Sequence, residues 1–180
     1  MPIVPDTKDW TWVLERECPE CHFDTRNFAR EDTGKLIREN AAQWRDVLTT
    51  PDVGRRPTDN VWSALEYACH MRDVFGLYYE RLEMMLEQED PEFPNWDQDA
   101  TAVEQRYSEQ DPGVVLKELG VAADRLAARF DTVTGDQWNR TGARSDGARF
   151  TIESFARYLI HDPIHHLHDV KQGFARLSSR

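Results

Sequence analysis

The sequence predicts an all-α protein: a four-helix bundle with a long crossover loop and an irregular N-terminal arm. Three observations predict it. Apolar residues recur every three or four positions over four long segments, strand-like alternation is poor, and one acidic, Pro-broken stretch (89–101) is long for a helix–helix connection. At 180 residues the chain suits one domain, with an arm over 1–30 and a bundle over 31–180, large enough to bury about two-thirds of its unfolded surface.

The arm is aromatic, with Trp10, Trp12, Phe23 and Phe28, and leaves room for a homodimer. A first helix fits 33–48, where Leu36, Ile37, Ala41, Trp44 and Leu48 form a stripe that stops before Pro51. The connector 55–60 ends in Asp59 or Asn60 as N-cap. A second helix then runs to about Leu86 through Val61, Leu65, Ala68, Met71, Phe75, Tyr78 and Leu82. Asp111 and Pro112 read as N-cap and first residue of a third helix over 112–131. Residues 134–149 are irregular, with one turn around Trp138, and a fourth helix spans Thr151 to about Leu177.

The formal charge of −11 argues against a nucleic-acid binder, which needs a basic stripe, and against an anionic membrane surface. No apolar run approaches the roughly 20 residues that span a bilayer. The start MPIVPDTKDW lacks a signal-peptide pattern, and three cysteines make no secreted disulfide framework. The expected location is cytoplasmic.

Chemistry concentrates in the stretch 157–170, RYLIHDPIHHLHDV, which holds four of the six histidines. On a helix advancing about 100° per residue, Ala156, Leu159, Ile160, Pro163, Leu167, Val170 and Phe174 define the core stripe. Asp162 and His166, four apart, flank it on one side. His161, His165 and His168 fall on the far side, toward solvent. Asp162 with His166 is therefore the favoured pair for one cation, and His161 with His165 is the rival register. Pro163 either interrupts one helix or starts a new one with Asp162 as N-cap. His70, at the edge of the second helix's stripe, is the candidate third ligand. Glu17-Cys18-Pro19-Glu20-Cys21-His22 offers a further thiol pair, half of a zinc site or a redox couple, whose plainer reading is two small packing residues. Cys69 points to another face than His70 and reads as a buried apolar residue.

Trp62, Ser63, Glu66 and His70, followed some ninety residues on by His165-His166-Leu167-His168-Asp169-Val170, resemble the DinB/YfiT-like metal-binding four-helix bundle superfamily, which includes thiol-dependent maleylpyruvate isomerases and S-transferases. The likeness covers about 30–177, and 136–142 resembles the segment those proteins carry before their last helix. It implies one ligand from helix two, at His70, and an i,i+4 pair from helix four. That pair ends at His166 if His165-His166 is aligned with the family's His-His, or is His161 with His165, the register that restores the family's His-x-x-x-His. Asp162 stands where the family more often has His or Glu.

Such a set suits Zn²⁺ by default, and Ni²⁺ or Fe²⁺ as well. The resemblance implies a metal that activates a low-molecular-weight thiol against a small-molecule electrophile, giving S-transfer or isomerisation. Asp169 is placed to orient a ligand imidazole, and Arg144 or Arg149 to fork a carboxylate. Two other readings remain: a non-catalytic metal-binding stress-response bundle, and a redox module built on Cys18 and Cys21.

Overall fold

The computed structural model describes Ile3 and residues 9–179; the rest of the N-terminal start, whose lack of a signal pattern is noted above, lies outside the described residues. Four long helices carry the fold: α1 (Thr33–Leu48), α2 (Ala64–Glu87), α4 (Pro112–Phe130) and α5 (Ile152–Ser178). Between α2 and α4 lie β1 (Glu92–Phe93) and the short α3 (Gln98–Glu104); between α4 and α5 lie β2 (Thr141–Arg144) and β3 (Arg149–Thr151). Round the bundle the helices pack in the order α1, α4, α2, α5. Trp44, Phe75, Leu82, Leu119, Leu126 and Phe155 fill the space between them.

The helix starts have local causes. Asp111 accepts the Val114 N–H at 2.9 Å ahead of Pro112, as read from the sequence. The expected N-cap of α2, Asp59 or Asn60, is corrected to Ser63. The Ser63 hydroxyl accepts the Glu66 N–H at 3.2 Å while Glu66 accepts the Ser63 N–H at 2.8 Å, a capping box. Arg56 closes on the same carboxylate, at 2.9 Å from Nε to Oε2. Burial raises the Glu66 pKa, but the Arg56 fork and the Ser63 N–H outweigh it and hold it below the ordinary value. This cap fixes the first turn of α2, one turn before His70.

Two connectors hold more order than the sequence reading expects. Residues 89–101 contain β1 and the start of α3, and 134–149 contain a 3₁₀ turn at Gly135–Asn139, β2 and the start of β3. β1 pairs parallel to β2, with Phe93 opposite Arg144, and β2 pairs antiparallel to β3, with Gly142 opposite Phe150. The hairpin turns through Asp146-Gly147, where Gly147 has φ +95°. A Cβ at Gly34 would sit 2.8 Å from the Ala127 carbonyl oxygen, so α1 and α4 approach closely there. Among the described residues no helix is long and apolar enough to cross a membrane.

Replacing Glu66 by Gln is expected to cost about 1–3 kcal/mol in denaturant unfolding, because Arg56 loses its anion and the cap is weakened. The depressed Glu66 carboxyl contributes stability above its unfolded pKa, and that contribution is lost as pH falls through the folded value. Wild type should therefore lose more stability than Glu66→Gln between roughly pH 5 and 3. Parallel pH curves for the two proteins would contradict this.

Candidate metal centre

α5 is one continuous helix through Pro163, so Asp162 is not an N-cap. Pro163 only removes the N–H that would reach Leu159. The helix therefore keeps one register, and residues 161–166 point in fixed directions. His70 from α2 meets Asp162 and His166 from α5: one ligand atom of each lies within 4.8 Å of the others. The His70 and His166 rings are 4.9 Å apart and nearly perpendicular. His166 Nε2 lies 3.3 Å from Asp162 Oδ1, and its Nδ1 lies 3.3 Å from Asp169 Oδ2.

His70 is 1% exposed, stacked on Trp96 at 5.4 Å and tilted against Trp62 at 5.1 Å. Its Nδ1 is buried with no hydrogen-bond partner among the described residues. A bare buried polar atom costs about 1–3 kcal/mol, so this one calls for a ligand. Two imidazoles and one carboxylate, with one ligand atom of each within 4.8 Å of the others, fit a divalent ion with open positions.

Burial, with His166 nearby, pulls His70 down to about 3, so it is a neutral donor at physiological pH. Burial also opposes a charged His166, yet Asp162 and Asp169 overcome it and push that imidazole up to about 10. Burial raises Asp162 in turn, but His166 holds it well below the usual carboxylate range. The three groups thus form an ion pair beside a neutral imidazole.

The trio lines a cavity of about 720 Å³, together with Trp62, Trp96, Tyr158, Arg81 and Arg144. Arg144 is held by Asp146 at 2.8 Å and donates to the Tyr158 hydroxyl at 3.3 Å. Arg149 does not line the cavity; it pairs with Asp90 at 2.7 Å on the surface. Arg81 is absent from the sequence reading. It is 5% exposed, donates to the Pro94 carbonyl at 2.9 Å and lies 4.8 Å from the Phe93 ring, with its Nε unpartnered among the described residues. Its place eleven residues after His70, three turns along the helix, was the available signal.

The expectation that His161 and His165 face solvent is corrected: they are 4% and 7% exposed. The N-terminal arm covers that face of α5, with the Trp10 ring 5.4 Å from His161 and 4.9 Å from His165. His168 is partly exposed. Cys18 and Cys21, carried by the same arm, lie beside His161 and His165, in a group separate from that of His70. Cys69 is buried, 3.8 Å from the Tyr107 carbonyl oxygen.

A bundle whose last helix sets an i,i+4 acid–imidazole pair against a histidine of the second helix has a group that could hold a metal ion. The chain belongs to the DinB superfamily, whose family profile matches residues 12–170. Among solved structures it is similar to YfiT from Bacillus subtilis, described as a probable metal-dependent hydrolase with an unusual four-helix bundle topology. The TM-score is 0.73 at 21% identity, over 83% of this chain and 87% of that one. No curated protein matches the chain.

In the metal-free chain, His166 should keep its proton through neutral pH while His70 stays neutral. A raised imidazole contributes stability that is full below its unfolded pKa and lost as pH climbs through the folded value, about 10 here. Asp162→Asn should drop His166 toward or below the ordinary histidine value, since burial is then less opposed. Nitrogen-resolved NMR titration of both rings measures this, and an unmoved His166 would contradict the coupling.

Proposed function

We propose that His70, Asp162 and His166 hold one divalent ion, Zn²⁺ by preference, and that the chain uses it in S-transfer or isomerisation with a low-molecular-weight thiol and a small-molecule electrophile. The observation that carries the reading is that buried His70, whose Nδ1 has no hydrogen-bond partner among the described residues, brings one ring nitrogen within 4.8 Å of an acid–imidazole pair at a large cavity. Three protein ligands leave positions for an incoming group, and an ion so held lowers the pKa of a thiol or water delivered to it.

The chain's own residues supply the rest. Asp169 fixes the tautomer and tilt of His166 through Nδ1, leaving Nε2 for the ion. Trp62 and Trp96 pack the His70 ring and keep water from its flank. Arg81, bonded to a carbonyl and a ring rather than a carboxylate, is the cation best placed to take an acidic group of thiol or substrate. Arg144 is already neutralised by Asp146 and steadies Tyr158.

The likeness to YfiT supports a second reading, metal-dependent hydrolysis, in which water replaces the thiol. The same residues serve both, so products decide between them.

The metal-loaded chain should conjugate or isomerise acidic electrophiles in the presence of small thiols, and His70→Ala or His166→Ala should lose at least about 100-fold in kcat/KM. Arg81→Gln should raise KM for acidic substrates about tenfold or more with kcat little changed, and Arg81→Lys should recover part of it. Turnover with water but no thiol favours hydrolysis. Equal rates for loaded, stripped and His70→Ala protein, with every thiol and with water, would remove the catalytic reading and leave a metal-binding bundle.

A further inference from the structure

The rival histidine pair and the cysteine pair, separate candidates in the sequence, meet in space. Cys18, Cys21, His161 and His165 each offer one ligand atom, and all four atoms lie within 4.8 Å of one another. Cys18 Sγ is 3.7 Å from His165 Nδ1. A tetrahedral zinc site with thiolate and imidazole ligands has ligand–ligand edges of about 3.3–3.8 Å, given its bond lengths of about 2.3 and 2.0 Å. The four atoms need to draw in by no more than about 1.5 Å.

A second observation points to a ligand. His161 is 4% exposed, and its buried Nε2 has no hydrogen-bond partner among the described residues. A disulfide between the cysteines would leave that nitrogen bare, whereas an ion bound through it would give it a partner. Local structure presents the ligands. The arm turns back on itself, with the His22 N–H donating to the Cys18 carbonyl at 2.9 Å and the Cys18 N–H donating to the Phe23 carbonyl at 3.0 Å. His22 takes φ +60° at this turn and points its ring outward to Glu17, so it adds no donor to the four. Helical i,i+4 spacing aligns His161 and His165.

We infer that Cys18, Cys21, His161 and His165 form a second metal site, a closed Cys₂His₂ zinc site that staples the N-terminal arm to α5. The softness of two thiolates selects zinc over hard cations, and the spacings, two residues between the cysteines and three between the histidines, are those of closed structural sites. Binding Zn²⁺ displaces the two thiol protons to solvent, with no redox change. Four protein ligands leave no open position, so the site is structural.

The staple bears on the first site. Trp10, carried by the arm, packs on His161 and His165 and lines the cavity of the His70 centre. Asp169 faces both centres: its Oδ1 lies 3.8 Å from His165 Nε2 and its Oδ2 lies 3.3 Å from His166 Nδ1. Glu20 Oε2, 3.6 Å from His165 Nε2, adds a second carboxylate behind that ligand.

The test uses the full chain, stripped under reducing conditions and reloaded with Co²⁺ or Zn²⁺ alone. Co²⁺-loaded wild type should show the thiolate-to-cobalt charge-transfer band of a two-thiolate site. His70→Ala should keep that band, and the double variant Cys18→Ser, Cys21→Ser should lose it together with one bound ion. A band with only one ion per chain upholds the staple and removes the His70 centre instead. No band in wild type, or an unchanged band in the double variant, overturns the staple. Should the double variant fail to fold, thiol labelling of wild type decides. Zinc should protect Cys18 and Cys21 from a maleimide until a chelator is added, and labelling indifferent to zinc overturns the proposal.

Discussion

The account rests on the unbroken register of α5. A helix turns about 100° per residue, so two i,i+4 pairs offset by a single position look in directions a quarter-turn or so apart. His161 with His165 and Asp162 with His166 are such pairs. One looks to the arm, the other to α2. A helix break at Pro163 would scramble both, and the structure has none. Neighbouring residues can thereby serve two centres of different chemistry without competing for one ion.

What stands opposite each pair decides its character. Opposite Asp162 and His166 is a single neutral imidazole at a large cavity, an arrangement that leaves ligand positions open. Opposite His161 and His165 are two thiols on a tight turn, with Trp10 packed over the histidine rings. His70 can be held bare and buried because Ser63, Glu66 and Arg56 lock the turn of α2 just before it. The cap is structural, but its consequence is the aim of one ring. Asp169 then couples the centres, since moving its carboxylate alters the partner of a histidine in each.

Much of this was legible in the sequence, and the limits are physical. The four long helices follow from apolar periodicity and, for α4, from the cap at Asp111, features local to a few residues. Ser63 and Glu66 carry a capping-box spacing that the stronger-looking Asp59 and Asn60 obscured. The sheet escaped because its strands are two to four residues long and one pairing joins segments on opposite sides of α4, though Asp146-Gly147 marks the hairpin. A helical wheel placed Asp162 and His166 beside the core correctly but sent His161 and His165 to solvent. A wheel knows only its own helix, and the cover over those rings comes from Trp10 and Cys18, about 150 residues earlier. Arg81 was missed because a cation on an apolar stripe breaks the pattern that periodicity rewards.

Anomalous diffraction at the zinc edge, from crystals of the zinc-loaded full chain, bears most directly on the claim that α5 addresses two centres. The account predicts two separate peaks, one among His70, Asp162 and His166 and one among Cys18, Cys21, His161 and His165. A single peak joining His70 to His161 or His165, or no peak between His70 and the Asp162–His166 pair, would contradict it.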